Sequence, residues 1–130
     1  MSETPAQKSI LIVDDTPINI GVISGALKDS FKTKVATNGE KALAIASGED
    51  KPDLILLDVM MPGLDGPATL QAFRRMPTLD AVPVVFMTAK VTGDEVARYR
   101  ELGAADVIGK PYDPVKLPDL VRAIWQRCRA

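Results

Sequence analysis

The stretch Leu54–Gly63, LILLDVMMPG, decides how this chain is read. Leu54, Ile55, Leu56 and Leu57 form an apolar run that stops at Asp58. Val59, Met60, Met61 and Pro62 follow, a sequence unlike an ordinary polar loop. A run this greasy suits a strand buried on both faces, as in parallel sheets. Asp58 then has two readings: it ends a strand or caps a turn, or it is held at a sheet edge for chemistry.

Similar β-rich runs recur along the chain at Ile10–Val13, Lys34–Thr37, Val82–Met87 and Asp106–Ile108. Segments with helical spacing lie between and after them. The first helix opens at Thr16-Pro17, a capping residue followed by a proline whose missing N–H is harmless there, and ends near Asp29–Ser30. The second starts at Asn38 and turns Ala42, Leu43, Ile45 and Ala46 inward. The third runs from Pro67, behind Asp65-Gly66, to Met76 before Pro77. The fourth runs from Thr92 to a glycine stop at Leu102-Gly103. The last carries Leu117, Leu120, Val121, Ile124 and Cys128 on one stripe, so Cys128 is expected to pack. Pro118 would break a helix begun at Asp113-Pro114, so the continuous helix is placed from about Pro118, after a turn.

Five strands alternating with five helices predict an α/β domain, a parallel sheet with helices on both faces. Residues 1–8 read as a flexible tail and 9–129 as the domain. A length of 130 residues suits one core. The net charge of −1 gives no case for nucleic acid or an anionic membrane, and Arg74-Arg75 is too short a basic pair to alter that. The chain lacks histidine, which removes His metal sites and His acid–base catalysis. Its one cysteine excludes an internal disulfide. The polar N-terminus is unlike a signal peptide, no apolar run approaches the ~20 residues of a spanning helix, and a cytoplasmic protein is expected.

In open α/β sheets, ligands bind beyond the carboxyl ends of the strands. Here those ends carry Asp14-Asp15, Asp58, Thr88 and Lys110. Each has a bland reading as turn, cap or solvated side chain; together they converge on one edge. Clustered carboxylates repel, and an oxygen-only set suits Mg²⁺ better than zinc. A cation, a lysine and a hydroxyl are what a phosphoryl group needs on transfer to a carboxylate, with Asp58 as nucleophile.

The stretches ILIVDD, PDLILLDVMMPGLDG, VVFMTA and GKPYDP together resemble the response-regulator receiver domains of two-component signalling, of the CheY-like single-domain type. The resemblance spans residues 9 to 129 and implies the flavodoxin-like strand order 2-1-3-4-5. It implies Asp58 as phosphoacceptor, taking its phosphoryl group from a sensor histidine kinase or histidine phosphotransfer protein. Asp15 would bind Mg²⁺ directly, Asp14 mainly through water, and Met60 by its backbone carbonyl. Thr88 and Lys110 would hold the phosphoryl oxygens, and Lys110-Pro111 would be cis. Phosphorylation would shift the surface of the fourth helix, fifth strand and fifth helix, which meets a downstream protein.

Three positions depart from the family pattern: Val107 where an aromatic residue is usual, Pro67 after the Asp-Gly pair, and Pro118. Met60 and Lys90 stand where the family tunes acyl phosphate lifetime. Competing readings are a phosphorylation-independent adaptor, a receiver segment of a hybrid histidine kinase or phosphorelay, and a haloacid-dehalogenase-type phosphatase. The last requires an acid where Met60 stands. The starting Met1 and short tail favour a free protein, with output by protein contact or onward relay. Tyr99 and Trp125 are expected to cover core edge, and Arg98, Arg100 and Arg122 to lie on a solvated face.

Overall fold

The computed structural model describes residues 8–48, 51–61, 63–77, 79 and 81–129. Most of the expected tail, residues 1–7, and Pro62 of the loop after Asp58 lie outside the described residues. Strands β1 (Ser9–Val13), β2 (Lys32–Ala36), β3 (Leu54–Asp58), β4 (Val84–Thr88) and β5 (Asp106–Gly109) alternate with helices α1 (Pro17–Leu27), α2 (Gly39–Ala46), α3 (Gly66–Arg74), α4 (Gly93–Glu101) and α5 (Leu117–Arg129). All strand pairs are parallel, in the order β2-β1-β3-β4-β5.

Strand alternation builds two cores, because successive side chains point to opposite faces. Leu11, Val13, Ile55, Leu57, Val84 and Phe86 face α2, α3 and α4, where Ala42, Ala46, Leu70, Phe73 and Tyr99 meet them. Ile10, Ile12, Leu54, Leu56, Val85 and Met87 face α1 and α5, against Ile20, Ile23, Leu27, Leu117, Val121 and Ile124. The central strands β3 and β4 are buried throughout. β2 is an edge strand with exposed Lys32 and Val35, and its lysines discourage further pairing.

Several boundaries move from their sequence positions for identifiable reasons. β2 starts two residues early, because the Lys32 N–H bonds the Lys8 carbonyl and lengthens the edge ladder. β4 starts at Val84, since Pro83 contributes only a carbonyl, which accepts from Ile55. α1 and α3 stop two residues early in short turns. Helix α5 begins at Leu117 rather than Pro118. Pro118 is therefore its second residue, where an N–H has no intrahelical partner to lose. Pro67 occupies the equivalent harmless position in α3.

Two members of the expected α5 stripe are corrected. Cys128 is exposed and Leu120 is 42% exposed. The stripe narrows to Leu117, Val121 and Ile124, with Trp125 packed partly buried against it, and Cys128 takes no part in the core. Tyr99 goes the other way. It is not an edge residue but is 1% exposed in the core, edge-on to Phe86 with ring centroids 5.2 Å apart. No helix among the described residues is long and apolar enough to cross a membrane.

Candidate functional site

Register gathers the site. Ile12 pairs with Leu56 across β1 and β3, so the next residues in the same row, Asp14 and Asp58, are neighbours. The row Ile108, Lys110 on β5 continues toward the same α1/α5 side. The ladder outlasts the strands, with the Asp14 N–H bonded to the Ala36 carbonyl and the Lys110 N–H to the Thr88 carbonyl. The two buried carboxylates and the lysine thus extend core rows out to the sheet edge.

The distances follow. Carboxylate oxygens of Asp14, Asp15 and Asp58 lie within 4.8 Å of one another. The Lys110 ammonium is 3.2 Å from Asp58 Oδ1 and 3.6 Å from Asp14 Oδ2. Asp14 and Asp58 are buried, and Asp15 is exposed. Asp14 accepts from the Thr16 N–H at 2.9 Å and from Asn19 Nδ2 at 3.4 Å. The Met60 N–H donates to Asp58 Oδ1 at 3.4 Å, while its side chain is exposed. Among the described residues, both hydrogen-bond partners of Asp58 use Oδ1.

Burial pushes the Asp58 carboxyl above its usual range; Lys110 opposes this and the Asp14 charge adds to it. An all-oxygen donor set of three acids, two of them withdrawn from water, fits a hard divalent cation.

Thr88 ends β4 beside Asp58, whose register partner is Met87. It is buried, and its hydroxyl accepts from the Lys90 N–H at 3.1 Å. Lys110-Pro111 is cis. Val107, where the resemblance expects an aromatic residue, packs partly buried against the α2–α4 core.

Two further positions shape the site without having been singled out from sequence. Asn19 sits in the first turn of α1 and steadies Asp14. Gly66 opens α3 directly behind the loop after Asp58, its N–H bonded to the Val59 carbonyl. A Cβ there would fall 2.7 Å from the Asp58 carbonyl oxygen and from Val59 Cα, so glycine lets α3 approach. Asp65 caps the helix by accepting from the Ala68 N–H.

Beyond the site, Arg74 donates to the carbonyls of Leu79, Val82 and Gly103. Arg100 from α4 and Arg127 from α5 both pair with Asp106 on β5.

A parallel sheet of this order, with an acid cluster and a lysine at its carboxyl edge, defines a class of CheY-like α/β proteins. The chain belongs to the response regulator receiver domain family, whose model matches residues 10–122. It is 39% identical over 116 residues to the response regulator PleD of Caulobacter vibrioides, covering 88% of this chain and 25% of that protein. It resembles the solved chemotaxis protein CheY4 of Vibrio cholerae with a TM-score of 0.85 at 26% identity, covering 92% of this chain and 99% of that one. It also resembles the receiver domain of a histidine kinase from Syntrophus aciditrophicus, with a TM-score of 0.80 at 33% identity over 92% of this chain and 91% of that one. The chain spans from 25% to 56% of the length of the first curated relatives it matches.

Proposed function

We propose that this chain is a phosphorylation-switched receiver, taking a phosphoryl group onto Asp58 from a phosphohistidine of a sensor histidine kinase or histidine phosphotransfer protein. One observation carries this reading most of the way. Lys110 reaches both Asp58 and Asp14, and Asp15 stands within the same cluster. A structural ion pair needs one acid; three acids around one lysine leave a negative pocket fit for a divalent cation and a phosphate.

Asp15 would hold Mg²⁺ directly, Asp14 through water, and Asp58 with the Met60 carbonyl would complete the protein's share. Bound there, the ion would neutralise charge on the phosphoryl oxygens. The chain's own residues do the rest. Asp58, ionised, attacks phosphorus with the oxygen that does not carry Lys110. The new O–P bond forms as the P–N bond to the donor imidazole breaks, and the imidazole keeps the electron pair. Lys110 and the Thr88 hydroxyl then hold the transferred oxygens. No external substrate is turned over, so the chain is a self-modifying switch rather than an enzyme. Met60 at the second position after Asp58 is no acid, which argues against a phosphatase of the haloacid dehalogenase type.

The modification adds roughly −1.5 to −2 charges. Thr88 moves toward them, and the α4–β5–α5 face changes its balance between two states and meets a downstream protein in the cytoplasm. Val107 keeps an adaptor reading open, since the usual aromatic readout is missing. A second arrangement, a receiver joined to a larger histidine kinase or phosphorelay protein, has a counterpart in the histidine kinase receiver that the chain resembles, but no residue of the site calls for it.

The test is incubation with Mg²⁺ and acetyl phosphate followed by intact mass. A phosphoryl adduct that disappears in Asp58→Asn supports the switch. Partner capture that is equal with and without the adduct points to the adaptor, and repeated turnover of external phosphate esters points to a phosphatase.

A further inference from the structure

Beside the acid cluster lies a cleft of about 420 Å³ between α1 and the β5–α5 connection. Its walls are Asn19 and Val22 from α1, Ala89 after β4, and Lys110, Pro111, Tyr112 and Pro114 from the β5–α5 side. Two of these walls are shared with the site: Lys110 contacts Asp58 and Asp14, and Asn19 bonds Asp14. The other five are a valine, an alanine, two prolines and a tyrosine. A cleft of this volume is within the range of small-molecule pockets. Lys110, its one charged wall, is the side that contacts Asp58, and the lining beyond is mostly apolar.

We infer that this cleft is a leaving-group site, receiving the apolar part of a small acyl phosphate whose phosphoryl group sits at Asp58. The inference rests on the phosphoacceptor reading and deepens it by naming a donor class. The occupant follows from continuity and charge. Lys110 attracts the phosphoryl end, and a flat hydrocarbon group extending from it lies along Val22, Pro111, Pro114 and the Tyr112 ring. In the reaction an Asp58 oxygen forms a bond to phosphorus as the bond from phosphorus to the donor's carboxylate oxygen breaks. The carboxylate departs with the electron pair. Acetyl phosphate leaves the cleft nearly empty, whereas benzoyl phosphate places a ring in it. Burial of that ring, in ground and transition state alike, raises the second-order rate constant.

The experiment compares benzoyl phosphate with acetyl phosphate, both with Mg²⁺, by intact-mass labelling of Asp58. Each rate is corrected for that donor's own rate of phosphoryl loss to water. The expected ratio is about tenfold in favour of benzoyl phosphate, from apolar burial. Val22→Asp and Tyr112→Ala bring the ratio toward one, while the remote exposed variant Leu120→Ala keeps it. Val22 is 42% exposed on its helix, so its variant folds, as a thermal melt checks. A second readout needs no transfer: saturation-transfer NMR detects the ring protons of phenylphosphonate on the wild type, and the signal falls in Val22→Asp.

An adduct from acetyl phosphate with a ratio within twofold of one overturns the leaving-group site and leaves the phosphoacceptor reading standing. A preference that survives both cleft substitutions also overturns it. No adduct from either donor overturns the two together.

Discussion

Lys110 bridges Asp58 and Asp14, with its ammonium 3.2 Å from one carboxylate and 3.6 Å from the other. The two acids are on adjacent strands, and the lysine comes from the far edge of the sheet. Lys110→Met leaves two buried carboxylates facing each other without that cation. The expected loss of stability is about 1–3 kcal/mol, the usual cost of stranding a buried polar partner, read by urea denaturation. Labelling by acetyl phosphate is expected to fall on the order of a hundredfold, as when one preorganised donor is removed from a transition state.

Asp58 gives a pH dependence whose sign can be worked out. Its folded-state pKa is raised, first by burial and further by Asp14, with Lys110 opposing. The folded state therefore binds the proton more readily than the unfolded state. Stability falls as pH rises from the ordinary aspartate value through the raised one, and the penalty is complete above it. Asp58→Asn removes that penalty. Its melting temperature should exceed the wild type at neutral pH, and the gain should shrink as the medium is acidified.

Gly66 is the contact point between α3 and the end of β3 that carries Asp58. With 2.7 Å between a built Cβ and both the Asp58 carbonyl and Val59 Cα, Gly66→Ala pushes backbone against backbone. A cost of about 1–3 kcal/mol is expected, the usual range for overpacking. Because the displaced strand end carries Asp58, labelling should fall along with stability. Gly63→Ala offers a contrast. Gly63 has open space around it but φ +74, so its cost is conformational and should leave the Asp58 environment nearly unchanged.

Arg74 ties three carbonyls, from Leu79, Val82 and Gly103, into one guanidinium. Arg74→Met retains the stem and removes the donors. The expected loss is about 1.5–3 kcal/mol, the range for hydrogen bonds to a charged group. Amide exchange should rise in the α3–β4 connection and at the end of α4, while labelling of Asp58 stays close to the wild type.

Much of the fold was legible because apolar runs such as Leu54–Leu57 and Val84–Phe86 are buried on both faces, and proline and capping residues punctuate the helices. The central strands were easier to read than β2, whose polar edge position hid its first two residues, Lys32 and Thr33, while its remainder was read. The grouping of Asp14, Asp15, Asp58 and Lys110 was legible because strand ends in a parallel sheet share an edge. Asn19 was not, since its value depends on a helix turning it back toward Asp14. Gly66 was read only as part of a helix start, because a glycine beside an Asp cap has that ordinary reading and the backbone it approaches is known only from the fold. Arg74 was read as half of a minor basic pair; its role depends on two loops converging from elsewhere in the chain. Cys128 was placed inside by spacing alone, and it is exposed.

Trp125 lines a recess with Lys51, Pro52, Asp53 and Pro83, where β3 and β4 begin, and the Lys8 ammonium lies 5.2 Å from its ring. Asp58 is at the opposite end of β3, some five residues away at about 3.3 Å each. The indole is thus a distant observer of whatever arrives at the carboxyl pole. Quenching by direct touch is ruled out by that separation, so any spectral response to a phosphoryl mimic must be relayed along the sheet and the helices packed on it. Its emission is a gauge of how far the disturbance travels.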